Sequence, residues 1–307
     1  MQNIRKIILI IIASIIVYAT FLLVSDINKI LDKIINFELI YIPVILGLVI
    51  VSWFIVYIRW NLILKTSGIK IPHKINFQIF LAGGALGITP GKVGELFKSQ
   101  ILKDKFDIPR TKTAPLFILE KFLDICGAMI VTCIGIWFVP EIGYLAITGL
   151  FSLMVIAKVI TSRKLFLRIL DFVKRFKIMT KFIEPLTSSH ENLSKIIFKK
   201  DMIVFVLLSV LYWIIIGIAA YFVLLGLGID TISLISTISS YSSSLIIGAI
   251  SFIPGGVGIA EASLIGLFTI QKIELSNAIV VVVLIRLFTL WFSTLSGFVA
   301  LRTSKLF

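Results

Sequence analysis

Two stretches decide how this chain reads. The first is Gly83-Gly84-Ala85-Leu86-Gly87-Ile88-Thr89-Pro90-Gly91-Lys92-Val93-Gly94-Glu95. The second is Gly248-Ala249-Ile250-Ser251-Phe252-Ile253-Pro254-Gly255-Gly256-Val257-Gly258-Ile259-Ala260-Glu261. Each is an apolar half-helix, a Pro-Gly break, a further Gly and then a Glu that opens a second short helix. Pro removes a backbone donor and Gly permits left-handed dihedrals, so the pair ends a helix and turns it sharply. Backbone groups released at such a turn cannot face lipid; they are buried in protein or line a wet cavity. The helices restarting at Gly94 and Gly258 would direct N–H groups and positive dipole ends at that cavity, a setting that favours anions such as phosphate.

The surroundings of both breaks belong to a membrane. Of the 307 residues 59% are hydrophobic and 15% charged, where soluble domains run nearer half and a quarter. The mean hydropathy is +1.09. A net charge of +14 would suggest nucleic acid in a soluble protein; here it fits the positive-inside bias of a polytopic chain. Two Cys and two His leave little for a disulfide framework or a metal site, and no cofactor motif occurs. Six apolar runs are long enough to cross a bilayer: Ile7–Val24, Leu39–Ile63, Ala114–Val139, Ile142–Ile160, Met202–Leu227 and Asn277–Leu301. The broken regions, Asn76–Lys103 and Thr231–Ile270, are expected to enter and leave on one side. With the N-terminus inside, the inner segments collect most of the Lys and Arg, including Arg59, Lys98 and the dense tract from Lys158 to Lys200. The outer segments hold only Lys29, Lys33 and Lys272. Both termini are therefore expected in the cytoplasm of a cell-membrane protein.

The fold class expected is all-α and polytopic, one integral membrane domain over 1–307. Residues 39–160 form a first repeat and 202–301 a second, joined by a cytoplasmic basic connector at 161–201 whose Lys164–Glu184 stretch is amphipathic and suited to the interface. Three full spans separate the two breaks. An odd number makes the two re-entrant pairs enter from opposite faces, the inverted-repeat arrangement whose sites lie where broken helices meet near the midplane.

Ionisable residues at membrane depth are functional candidates by default. About twenty-five residues beyond each Glu lies such a cluster: Glu120, Lys121 and Asp124 after Glu95, and Arg286 after Glu261. Glu95 and Glu261 sit where a cap for the re-entrant helix is the bland alternative. Arg286 sits far from both ends of its span and needs a partner; Glu261 is the obvious one, in a functional site or in a purely structural lock. Glu120 and Asp124 share a helix face. They can take a proton, bind a cation, or neutralise Lys121 and Lys92. The hydroxyl run Thr237, Ser239, Ser240, Ser242, Ser243 and Ser244 is expected to serve packing.

The motifs Pro90-Gly91-x-x-Gly94-Glu95, Glu120-Lys121-x-x-Asp124, Pro254-Gly255-Gly256-x-Gly258-x-x-Glu261 and Arg286 resemble those of a flippase-like membrane family. It includes the transmembrane (flippase) region of lysylphosphatidylglycerol synthase and its stand-alone bacterial and archaeal relatives. The resemblance covers roughly Leu39 to Leu301. It implies two re-entrant helix pairs and movement of a phospholipid or lipid-linked headgroup between leaflets, with the charged positions above handling the headgroup. The family commonly has Arg where this chain has Lys121, which loses the bidentate geometry for phosphate. The sequence ends at Phe307 with no soluble aminoacyl-transferase domain, so lipid aminoacylation is not expected of it.

The leading expectation is thus a lipid flippase or transporter. Lys92, Lys121 and Arg286 would hold phosphate, and Glu95 and Glu261 an amino group or a proton. Its partners would be a membrane phospholipid or lipid-linked substrate and a separate lipid-modifying enzyme, with no nucleic acid. The alternatives are a membrane-embedded transferase acting on a lipid-linked substrate, which would draw on carboxylates such as Asp26, Asp32, Glu38 and Glu141, and a protein that presents lipid without transporting it. No catalytic motif favours an enzyme.

Overall fold

The computed structural model describes residues 33, 35–85, 87, 89, 95–173, 201–251 and 253–303, and among them all regular structure is helical. The expected span Ile7–Val24 lies outside the described residues, as do Pro90, Gly91, Lys92, Gly94 and the latter part of the Lys164–Glu184 stretch.

The helices run in chain order α1 Tyr41–Thr66, α2 His73–Ala85, α3 Phe97–Phe106, α4 Arg110–Gly135, α5 Gly143–Thr161, α6 Arg163–Val173, α7 Asp201–Gly226, α8 Leu234–Ile250, α9 Ile259–Ile270, α10 Leu275–Arg286 and α11 Phe292–Thr303. Short 3₁₀ turns at Pro140–Ile142 and Pro254–Gly256 precede α5 and α9. A π-helical segment, Leu287–Trp291, joins α10 to α11 without a break. Among the described residues three helical stretches are long and apolar enough to cross a membrane: Tyr41–Thr66, Asp201–Gly226 and Leu275–Thr303. Helix α4 matches α1 in length at 26 residues, about 39 Å, but Glu120, Lys121 and Asp124 interrupt its apolar surface. The helices flanking the two breaks are short: α2 and α3 have 13 and 10 residues, α8 and α9 have 17 and 12.

Helix boundaries follow local chemistry. Ser233 caps α8, its hydroxyl accepting the Ser236 N–H at 3.1 Å. Pro109 sits just before the first turn of α4, where a missing N–H is harmless. At the second break the chain turns through Gly255 (φ 61°), Gly256 (φ 67°) and Gly258 (φ 89°), conformations that L side chains rarely adopt.

Helices α1 and α7 pack side by side. Around them α4 packs on α7 and α8, while α11 packs on α2; α8 also lies against α9, and α2 against α3. The long helix after each break therefore embraces the half-helix before the other break. Small residues allow these approaches: a side chain at Gly127 would meet the Ser209 backbone at 2.7 Å, and one at Gly217 the Ile238 Cα at 2.9 Å. Gly135 lies against Ser239, and Gly297 against the Ala85 backbone. In a membrane such close van der Waals packing replaces the hydrophobic drive between helices.

The hydroxyls of α8 bond within their own helix and to α4. Ser239 and Ser242 donate to Ile235 and Ile238 of their own helix at 2.8 and 3.0 Å, and Ser243 reaches Thr132 of α4 at 3.2 Å. All are buried, so each is satisfied at the α4–α8 seam, as the packing expectation had it. The outer face of α5 is the reverse: Ile147, Phe151 and Met154 are exposed together, a surface suited to lipid.

Candidate functional site

The first ionic cluster forms where α1, α3, α4 and α7 meet. Glu95 stands in the turn that opens α3, and Lys98 follows it by one helical turn. From α4, Glu120 points to Lys98 and closes an ion pair of 2.7 Å in which both side chains are almost wholly buried. The Lys98 ammonium also stacks over the Trp60 ring, 4.2 Å from its centroid, and its aliphatic stem lies across Gly83 of α2. A side chain at Gly83 would force the Lys98 stem to shift, since a Cβ there would stand 2.7 Å from its Cγ.

Lys121 reaches Glu95 at 3.0 Å and Asp124 at 3.3 Å. Asp124 is held on its other side by Arg59 of α1 at 2.6 Å, and the backbone carbonyl of Asp124 accepts the Trp213 indole N–H at 2.8 Å. Arg59 also donates to Ser209 of α7. The cluster has two layers. Arg59, Lys98 and Glu120 are sealed, their side chains 1–3% exposed; Glu95, Asp124 and Lys121 are 15%, 20% and 23% exposed. Three cations thus meet three carboxylates, so the burial of each charge is offset by an opposite one.

The second cluster is smaller and closed. Glu261, in the first turn of α9, accepts the Gly258 N–H through Oε2 at 2.7 Å and the Arg286 Nε–H through Oε1 at 2.8 Å. The same carboxylate therefore serves as helix cap and as counter-ion. Its side chain and that of Arg286 are 1% and 5% exposed. Thr289, in the π-helical segment, and Tyr241 of α8 lie beside Arg286.

The two clusters share a plan. Glu95 is 26 residues before its cation Lys121, and Glu261 is 25 before its cation Arg286. In each, a glutamate at the start of the helix after the break pairs with a cation eleven residues into the next helix, α4 or α10. Of the site residues expected from sequence, Glu95, Glu120, Lys121 and Asp124 come together, and Glu261 joins Arg286. Glu120 takes Lys98 rather than Lys121 as its partner. Lys92 lies outside the described residues.

Two members were missed. The sequence reading places Arg59 and Lys98 among the inside cations that orient the chain, whereas in the structure both side chains are buried in the cluster. The signals were present: Arg59 lies inside the apolar run Leu39–Ile63, and Lys98 stands three residues after Glu95, one helical turn away. Ser209 and Trp213 carried no such signal, since nothing in α7 marks them as neighbours of α4.

The family model for the lysylphosphatidylglycerol synthase TM region matches residues 10–297. UPF0104 membrane protein MJ1595 of Methanocaldococcus jannaschii is 26% identical, over 91% of this chain and 89% of the relative. UPF0104 membrane protein MJ1078 of the same organism is 26% identical over 68% of this chain and 89% of its own length. UPF0104 membrane protein PH1989 of Pyrococcus horikoshii is 24% identical over 81% and 83%. The chain belongs to the lysylphosphatidylglycerol synthase TM region family of membrane proteins.

Proposed function

We propose that this protein is a lipid flippase or lipid transporter, moving a phospholipid or lipid-linked headgroup between the leaflets of the cell membrane through the charged site described above. The observation that carries this reading is the open layer of the first cluster. Lys121, Glu95 and Asp124 keep partial exposure inside an otherwise apolar bundle, at a depth where an ionisable side chain costs ~2.5–3.5 kcal/mol unless it is paired or wetted. The Lys98–Glu120 pair beside it is sealed, at 3% and 2%.

The proposed frame has six crossings, both termini cytoplasmic, and two re-entrant pairs, α2–α3 and α8–α9, belonging to repeats 39–160 and 202–301. Helix lengths support it: none of these four helices reaches the ~20 residues a crossing needs. The matching Glu95–Lys121 and Glu261–Arg286 pairs, and the reciprocal packing of α4 on α8 and α11 on α2, support two copies of one unit. Trp137 and Tyr144, 89% and 84% exposed around the α4–α5 turn, suit the aromatic belt of the outer interface.

In this reading the headgroup enters beside Lys121 while its acyl tails stay in the bilayer. Its phosphate takes the Lys121 ammonium, with Lys92 as a further cation, and Glu95 takes an amino group or a proton. Asp124 is not stranded by the exchange, because Arg59 holds it at 2.6 Å. Substrate would come from a separate lipid-modifying enzyme.

The test is a leaflet-accessibility assay in proteoliposomes carrying headgroup-labelled lipid. Wild type is expected to accelerate exchange, and Glu95→Gln and Lys121→Ala to slow it by about tenfold or more, the worth of one hydrogen bond to a charged group. Exchange no faster than in protein-free vesicles, across phosphatidylglycerol, cardiolipin and polyprenyl-phosphate sugars, overturns it.

A further inference from the structure

Away from both ionic clusters, α9 and α10 leave a cleft of about 490 Å³ between them. Its floor is Ile265 and Ile279, both buried, and its rim carries the exposed Ile270 and Leu275. The one polar side chain in its wall, Thr269, gives its hydroxyl proton to the Ile265 carbonyl at 2.8 Å. A polar ligand would find no side-chain partner there. Gly266 keeps the cleft open: a Cβ at this position would meet no atom within 4 Å. That is the reverse of Gly127 and Gly217, whose missing side chains make room for a neighbouring helix.

Ala262, Gly266 and Ile270 follow one another at four-residue spacing along one side of α9. They cover about 12 Å of its axis, close to the depth of one leaflet, half of the ~30 Å hydrocarbon core. At the mouth, between Ile270 and Leu275, stands Lys272 in a left-handed conformation (φ 69°). Its N–H bonds the Thr269 carbonyl at 2.9 Å, and the Ile273 N–H bonds the Phe268 carbonyl at 3.1 Å. Glycine is the usual residue at such a helix end, and a side chain there is strained. The chain thus holds a cation where a tail in the cleft would meet its headgroup.

We infer that the α9–α10 cleft binds one acyl chain of a membrane phospholipid, with Lys272 at the level of its phosphate. Glu274 shares the turn, so the tail, rather than net charge, provides the fit. Bulk lipid is as apolar as the cleft. The attraction is therefore close contact with fixed walls, as between membrane helices. A helix of a second copy, ~10–12 Å across, would rest on the rim without reaching Ile265 or Ile279. The site does not require transport; its placement in the outer leaflet rests on the six-crossing frame proposed above.

The test uses wild-type protein in phosphatidylcholine nanodiscs containing phosphatidylglycerol with a photoactivatable diazirine on one acyl chain. Crosslinks are mapped by mass spectrometry, with Phe151 on the exposed face of α5 as the bulk-lipid reference. A diazirine near the chain end is expected to label Ala262 and Ile265 above Phe151, and one near the carbonyl to label Ile270 and Leu275. Labelling of Ile265 and Ile279 no stronger than that of Phe151 by either probe overturns the site. Gly266→Leu fills the cleft and is expected to melt no lower than wild type while losing the Ile265 crosslink. Undiminished labelling in that variant also overturns it, and crosslinks through position 266 between two copies would assign the cleft to a dimer instead. Lys272→Gly relieves the left-handed strain, so it is expected to keep its melting midpoint and lose labelling by the carbonyl-proximal probe. Unchanged labelling removes Lys272 from the site. Protein that labels as expected but exchanges no lipid between leaflets sinks the flippase reading and leaves the site standing.

Discussion

Lys98 and Glu120 meet at 2.7 Å in a position sealed from solvent on every side, with Trp60 beneath the ammonium and Gly83 against its stem. This pair holds α3 against α4, and so sets where Glu95 stands relative to Lys121. It is the fixed floor on which the exposed ionic layer rests.

Removing one partner of that pair strips a buried charge of its hydrogen-bonded counter-ion, and Lys98 would keep only the more distant Glu95, at 3.9 Å. Lys98→Ala or Glu120→Ala is expected to cost about 3–5 kcal/mol, whereas the joint replacement Lys98→Met with Glu120→Leu recovers most of it, because an apolar pair of similar volume needs no solvation. Thermal unfolding in detergent micelles reads the difference. A double variant no more stable than either single one would show that the charges, not the packing, hold α3 in place.

Lys121 should behave differently. It is partly exposed, and Asp124 keeps Arg59 when Lys121 is gone. Lys121→Ala is therefore expected to lose less than half the stability lost by Lys98→Ala while losing leaflet exchange. The melting midpoint and the exchange rate, measured on the same preparation, separate a structural cation from a functional one.

Glu261 has two duties that two substitutions separate. Glu261→Gln keeps a carbonyl oxygen for the Gly258 N–H but loses the negative charge facing Arg286. Glu261→Ala loses both. The alanine variant is expected to be less stable than the glutamine variant by about 1 kcal/mol, the usual worth of a helix cap. Equal midpoints would mean that the cap contributes nothing.

The second break is expected to be sensitive at Gly258 above all. Its φ of 89° and ψ of −55° lie outside the left-handed region that a non-glycine residue can enter, whereas Gly255, at φ 61° and ψ 4°, lies near it. Gly258→Ala is expected to lower stability by more than the ~1–2 kcal/mol of a left-handed residue, and Gly255→Asn by much less. Denaturant midpoints of the two variants give the order.

Thr89 and Ile253 provide a test of topology. In a background of Cys126→Ser and Cys133→Ser, cysteines at these two positions are expected to react with a membrane-impermeant thiol reagent from opposite sides, Thr89→Cys from the cytoplasm. Labelling of both from one compartment would remove the inverted arrangement.

Much of the plan could be read along the chain. Helical class, membrane residence and the positions of the second break follow from run length and from Pro254, Gly255, Gly256 and Gly258, because backbone satisfaction in lipid and the steric limits on φ are local rules. The pairing of Glu261 with Arg286 was also legible, since a central arginine needs a counter-ion and few were in reach. Arg59 and Lys98, inside cations by the sequence reading, are members of the buried cluster. The partner of Glu120 was not legible at all: Lys121 is adjacent in sequence, yet Lys98 of another helix takes the carboxylate.

What the sequence by itself determined is which charges must be buried and where the helices break, because each depends on a residue and its immediate neighbours. Which charge meets which, and which pair keeps contact with the outside, was decided only by the tertiary structure. Close approaches such as Gly127 to Ser209 and Gly83 to the Lys98 stem fix how the helices sit. An ion pair that changes partner with a shift of a few ångströms has no signature in one dimension.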